Sequence, residues 1–280
     1  MKITQLRNAT VLVEYAELRL LVDPMLAPRG ALPALKYLGA PRRRNPLVDL
    51  PEVTPALLEG VTHALITHCR KGHFDHLDRA GKRWLRERRI PVLCMPEDAD
   101  HLRQRGLNVQ PLAGQGATAF GAGQIQPIAC LHGEGWIGRL MAHGHGYVIE
   151  QAGEPSLYIA GDTVLTDEVV RCVQERRPAV SIVPAGGAAF DLGGEIIMDA
   201  EQALALAERG DGVFLANHLE ALDHCPTRRA DLRAAAAARG LAHRFLVPED
   251  GQTLEFRGGD RHTGPVTRPG ATSAAPLSRR

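Results

Sequence analysis

Residues 65–78 read LITHCRKGHFDHLD, a segment dense in histidine and aspartate. The run before it, HALIT (63–67), has the length and β-branched content of a strand, and the stretch after it, LDRAGKRWLRERR (77–89), reads as a helix. The histidines therefore occupy a strand-to-helix turn, and loops at the carboxyl ends of strands are where α/β sheets place ligands. His73, Asp75 and His76 lie close enough in sequence to surround one or two metal ions, with His68 entering from the strand end. Neutral imidazole together with carboxylate suits Zn, Fe or Mn. Taken alone, the segment is equally a turn with helix-capping aspartates and surface histidines.

The rest of the chain shifts that balance. Short β-prone runs recur as ATVLVEY, LRLLVDP, HALITH, IPVLCMP, GQIQPIAC, GYVIEQ, SLYIAGDT, AVSIVPAG, GVFLANH, HRFLVPE and QTLEF. Ligand-type residues follow some of them in the same way: His132 after IQPIAC, Asp162 after SLYIA, and His218 after VFLAN. Between the later runs lie the helix-like TDEVVRCVQERR, DAEQALALAERG and TRRADLRAAAAARG, the last two ending at a Gly suited to C′. Adjacent strands in the first half and alternating strand and helix in the second predict a layered α/β domain. Two places break the rhythm. APRGALPALKYLGAPRRRNPLVDLP (27–51) is a Pro- and Arg-rich insertion expected to be a surface loop. The segment 258–280, almost without large apolar residues, is expected to be a disordered tail, leaving 1–257 as the folded domain.

Composition narrows the function. Lys plus Arg number 33 against 32 Asp plus Glu in 280 residues, so no net charge points to a nucleic-acid partner. No window approaches the eighteen apolar residues of a membrane span and the start lacks an apolar signal core, which predicts an unexported cytoplasmic protein without a membrane partner. Cys69, Cys94, Cys130, Cys172 and Cys225 are widely spaced without a CxxC pair, against both a disulfide framework and a Cys-based zinc knuckle.

A strand ending in Thr67-His68, then His73-x-Asp75-His76, a later single His, the Asp of YIAGDT and a final His resembles the metallo-β-lactamase-fold hydrolase superfamily. The nearest likeness is to the branch of ascorbate-phosphate lactonases and N-acylphosphatidylethanolamine phospholipases, whose motif also runs on as DHLD. The resemblance spans roughly residues 1–256 and implies a four-layer αββα sandwich with a two-metal site at one edge. Carried over residue by residue, it implies that His68, His73 and His132 hold one divalent ion, that Asp75, His76 and His218 hold the second, and that Asp162 bridges them. Zinc is the first choice of metal, with manganese or iron as alternatives. A hydroxide between the ions would attack an ester-like, lactone or phosphodiester bond of a small molecule, with Asp75 orienting it. The family motif is H-x-H-x-D-H, whereas the first spacing here is three residues longer. An ungapped alignment from His68 would put Arg70 and Gly72 at ligand positions. The gapped register keeps HFDHLD whole, and a loop absorbs extra residues where a metal cannot replace lost ligands.

Further candidates follow. His143 and His145, in HGEGWIGRLMAHGHGYVIE (132–150), are possible substrate contacts, although packed or solvated histidines fit as well, and Trp136 is a candidate pocket wall. PAGGAAFDLGGEIIMDAEQ (184–202) reads as a Gly-rich loop entering a helix with an N-cap at Asp199. In NHLEALDHC (217–225), Glu220 is placed to accept the ring N–H of His218, and His224 to give a proton to a leaving group. Cys69 reads as a small buried thiol and Arg42–Arg44 as a solvated run, unless the insertion folds over the metals. Two other functions use the same scaffold: a non-hydrolytic metalloprotein with a di-iron redox or sensor role, and a degenerate metal-free binding module. A homo-oligomer is compatible with either.

Overall fold

A computed structural model of the chain describes residues 1–257 apart from 16, 39–41, 71, 142 and 143. The expected tail at 258–280 and His143 lie outside the described residues. Among the described residues, two mixed sheets of seven strands each carry the architecture. In the first, β1 (Lys2–Arg7), β2 (Thr10–Tyr15) and β3 (Leu18–Val22) are antiparallel, and β4 (His63–Leu65), β5 (Pro91–Cys94) and β6 (Asn108–Pro111) continue parallel to β3. The second begins with β7 (Thr118–Phe120), β8 (Gly123–Ala129) and β9 (His145–Gln151), antiparallel as far as β10 (Leu157–Ile159). It continues in parallel through β11 (Val180–Pro184), β12 (Val213–Asn217) and β13 (Phe245–Leu246). The chain then returns to the first sheet, where β14 (Thr253–Glu255) pairs antiparallel with β1.

Residue alternation explains the layers. Along β11 and β12, Val180, Ile182, Val213 and Leu215 join Ile3, Val13, Leu20 and Leu65 in the core between the sheets. The intervening Val183, Phe214 and Ala216 turn the other way, onto α5 (Asp167–Arg171), α6 (Ala200–Arg209) and α7 (Arg229–Ala238). Strands buried on both faces read as continuous apolar runs, which is why AVSIV and VFLA stand out in the sequence. On the far side of the first sheet, Ala64, Ile66 and Val92 meet Leu85 of α2 (Arg79–Glu87) and Leu102 of α3 (Pro96–Arg103). The expected αββα sandwich is therefore the fold. Two short helices, α1 (Thr54–Leu57) and α4 (Gly135–Leu140), complete it.

Local chemistry sets the helix starts. Asp78 accepts from the Gly81 N–H at 2.6 Å, and Asp199, as anticipated, caps α6 through the Gln202 N–H at 2.8 Å. Helix α5 runs on as a π turn over Cys172–Arg176 and stops at Arg177, whose φ is 47°. Among the described residues no helix is long and apolar enough to cross a membrane.

The described residues of the 27–51 insertion form a loop as expected, but its main chain is tied down. The buried Arg7 guanidinium donates to the carbonyls of Met25, Ala27 and Val48, and Asp78 Oδ2 accepts from the Ala27 N–H at 2.6 Å. Asp223 accepts from the Leu35 and Lys36 amides and Asp191 from those of Tyr37 and Leu38. The loop thus folds across the edge of the sandwich where strands β4, β10 and β12 end.

Candidate metal centre

The strands deliver their ligand-type residues to one edge. His68 follows β4, Asp162 follows β10, His218 follows β12, and His132 follows β8. His73, Asp75 and His76 come from the turn into α2, where Gly72 takes φ of 86°, a left-handed conformation that suits glycine. The side chains gather into two buried groups, His68 with His73 and His132, and Asp75 with His76, Asp162 and His218. The rings of His68 and His73 lie 4.3 Å apart, so the lengthened spacing still brings the pair together, in the gapped register.

The hydrogen bonds fix which ring nitrogen faces inward. His73 turns Nδ1 to the Arg70 carbonyl at 2.5 Å and His132 turns Nδ1 to the Ile196 carbonyl at 2.6 Å. A carbonyl only accepts, so each Nδ1 carries a proton, and in the neutral ring that binds a metal each Nε2 carries the lone pair. Those two Nε2 atoms face each other at 3.1 Å. Two lone pairs at that distance repel unless a cation lies between or beside them. His68 completes the group: Nδ1 meets the Thr67 hydroxyl at 3.1 Å, and its buried Nε2 has no hydrogen-bond partner. An unpartnered buried nitrogen beside two opposed lone pairs fits a metal ion.

The second group carries negative charge. Asp162 Oδ2 is 3.0 Å from His76 Nε2, 3.5 Å from His218 Nε2 and 3.6 Å from His132 Nε2, so it touches both groups. Asp75 Oδ2 lies 3.4 Å from His218 Nε2 and 3.6 Å from His76 Nε2. Behind His76, Asp23 Oδ2 accepts from Nδ1 at 2.8 Å and from the Thr67 hydroxyl at 2.7 Å. Burial works against charge on His76, but Asp162, Asp23 and Asp75 outweigh it and raise its pKa well above the ordinary imidazole value. Burial likewise opposes charge on His218, and Asp162 and Cys225 overcome it. In the first group burial wins: it holds His68 well below the ordinary value and His132 at about 4. Asp162, whose burial alone would raise it, is held well below the usual carboxylate range by His76 and His218.

The other candidates divide. His224 is buried, stacks on Phe190 at 5.8 Å, and lies 6.3 Å from the His218 ring. Phe190 lines a cavity of about 460 Å³ with Trp136, Tyr37, Leu38, Ile137 and Leu192. Trp136 thus stands in a wall of the cavity that Phe190 joins to His224. His145 does not join the groups; its Nδ1 is 3.6 Å from Glu97 on α3. Glu220 is not the partner of His218, because its carboxylate receives the Arg229 amide at 2.9 Å and guanidinium at 2.7 Å. The His218 Nδ1 instead meets Cys225 Sγ at 3.4 Å. Burial would push that thiol up, yet His224 and His218 bring it down to about 7, whereas burial pushes Cys69 up to about 12. Arg44 ties its own loop through the Gly30 and Ala31 carbonyls, and Arg42 lies 4.8 Å over the Tyr37 ring.

Sequence reasoning missed Asp23, Thr67, Asn8 and Cys225. Asp23 ends the run LRLLVDP in the way that Asp162 and His218 end theirs, and that position was the available signal. Asn8 has no such cue: its carbonyl receives the His218 amide at 3.1 Å across the sheet edge.

The comparisons with known proteins agree with this geometry. Residues 2–210 match the beta-lactamase superfamily domain. The UPF0173 protein YddR of Bacillus subtilis is 33% identical over 91% of this chain and 100% of its own. A UPF0173 metal-dependent hydrolase of Azorhizobium caulinodans is 28% identical over 91% of this chain and 100% of its own. Among solved structures, the isothiocyanate hydrolase from Delia radicum gut bacteria superposes with a TM-score of 0.83 at 32% identity, over 92% of this chain and 100% of that one. A family match over most of the chain and this likeness in sequence and fold together place the chain in the beta-lactamase superfamily, as a metallo-β-lactamase-fold hydrolase.

Proposed function

We propose that the chain holds two divalent cations, zinc foremost, and hydrolyses a small uncharged electrophile that carries an apolar substituent. The opposed Nε2 lone pairs of His73 and His132, 3.1 Å apart, carry the metal reading. His68, His73 and His132 would hold one ion, Asp75, His76 and His218 the other, and Asp162, 3.0 Å from His76 and 3.6 Å from His132, reaches both sets. Ions bound there supply a hydroxide near neutral pH and polarise the scissile group. The protein's own part is to orient and to move protons. Asp75, acceptor-only beside His76 and His218, orients the nucleophile, and His224 delivers a proton to the departing atom.

The cavity argues for the substrate. Its walls are aromatic and aliphatic, with Asp191 as the charged member. The nearby Arg42 is engaged over Tyr37. Such walls favour an isothiocyanate, ester or lactone with an alkyl or aryl group over a phosphodiester, whose charge would meet the Asp191 carboxylate and, among the described lining residues, no cation. The 32% identical isothiocyanate hydrolase makes that bond the first to test. At that bond, water adds through oxygen to the central carbon of R–N=C=S, both of its protons pass to the nitrogen, and cleavage of the C–N bond releases R–NH₂ and COS.

The test is a panel of alkyl and aryl isothiocyanates, aryl esters, lactones and bis(p-nitrophenyl) phosphate, assayed before and after chelation. Chelator-sensitive turnover of uncharged substrates is expected to exceed phosphodiester turnover by at least roughly tenfold. Each added methylene is worth up to about 0.8 kcal/mol, or about fourfold in kcat/KM. Preference for the phosphodiester overturns the substrate reading, and turnover indifferent to chelation overturns the metal reading.

A further inference from the structure

Every imidazole of the two groups is held from outside through Nδ1. His73 and His132 use carbonyls, His68 a hydroxyl and His76 a carboxylate, all of them oxygens. His218 alone among these five faces sulfur, Cys225 Sγ at 3.4 Å, and the same sulfur lies 3.8 Å from Nδ1 of His224. The site around it is built closely. A Cβ on Gly186 would lie 2.1 Å from the His218 carbonyl oxygen and 3.3 Å from Cys225 Sγ, so glycine there lets main chain and sulfur close together. The Cys225 amide donates to the Leu222 carbonyl at 3.2 Å, which fixes the turn that presents the sulfur.

We infer that Cys225 is a positioning residue of the centre: its sulfur accepts the Nδ1–H of His218, aims Nε2 at Asp75 and Asp162, and steadies His224 against Phe190. This rests on the reading of the two groups as a metal centre. One atom thereby sets the direction of a ligand and of the proton donor, from beneath both. A serine at this position keeps an acceptor and an alanine does not, which separates orientation from packing.

The experiment compares wild type, Cys225→Ser and Cys225→Ala, each full length and loaded with Co²⁺. Ion affinity is read by chelator competition, the ligand field by visible absorption, and folding by melting curves. Loss of such an outer partner is expected to weaken one ion by about 10–100-fold and to shift its band, with the second ion unchanged. The serine variant should recover to within about threefold of wild type, and kcat should fall more than KM rises in the alanine variant. Alanine binding both ions like wild type, or serine as weak as alanine, overturns the inference. Should the alanine variant fail to fold, Cys225→Val takes its place with the same expectation. Wild type that takes up no Co²⁺ overturns the metal reading itself, a different failure.

Discussion

The two halves of the centre are built on opposite principles. The three-imidazole half contains no carboxylate, springs largely from one turn, and is held by main-chain carbonyls and a hydroxyl. The carboxylate-bearing half draws on two strand ends and the helix turn, and is held by side chains that themselves carry or share charge, Asp23 and Cys225. Burial keeps the first half's His68 and His132 neutral, so it offers lone pairs to a cation with no proton to displace. The second half attracts a cation through two carboxylates. Similar residues thus make one half a matter of geometry and the other a matter of charge.

That contrast is most severely tested at Asp162, whose Oδ2 approaches histidines of both halves. In Asp162→Ala we expect metal content, measured by plasma mass spectrometry, to fall in both halves and hydrolysis to drop below detection. A full ion retained per chain would assign Asp162 to one half alone. A narrower effect is expected from Asp23→Asn, which removes the carboxylate behind His76. The ion of the charged half should bind about 10–100-fold more weakly in chelator competition while the other is untouched. Equal weakening of both ions would mean that Asp23 supports the edge as a whole. The smallest effect belongs to Arg70, whose Nε sits 2.8 Å from Asp98 and whose side chain is 45% exposed. Exposed pairs of this kind contribute about 0–1 kcal/mol. Arg70→Ala should therefore weaken the three-imidazole ion by at most about fivefold, because His73 is held by the Arg70 carbonyl and not by its side chain. A larger loss would show that the side chain sets the loop.

Much of this was readable in advance where burial leaves a pattern. The buried parallel strands announce themselves as apolar runs, and ligand-type residues at their ends mark the edge that carries the site. What escaped was determined by partners distant in sequence. β6 and β7 are short outer strands with few large apolar residues, and β1, KITQLR, mixes polar residues whose burial depends on the returning β14. Asp23 resembles any turn aspartate until the fold brings His76 to it. The wrong partner for His218 came from nearness in sequence: Glu220 is close along the chain, but φ values of 58° at His218 and 56° at Glu220 turn the chain so that the carboxylate meets Arg229.

The insertion over the cavity has one more implication. Asp191 and Asp223 grip residues 35–38 through backbone amides, not through side chains. The exposed side chains of Tyr37 and Leu38 line the cavity and take no part in those hydrogen bonds, whereas Leu35 packs into the core beneath. Exchanging Tyr37 or Leu38 therefore leaves the amide contacts with Asp191 in place, so this wall of the cavity is free to change shape while the buried residues beneath it stay the same.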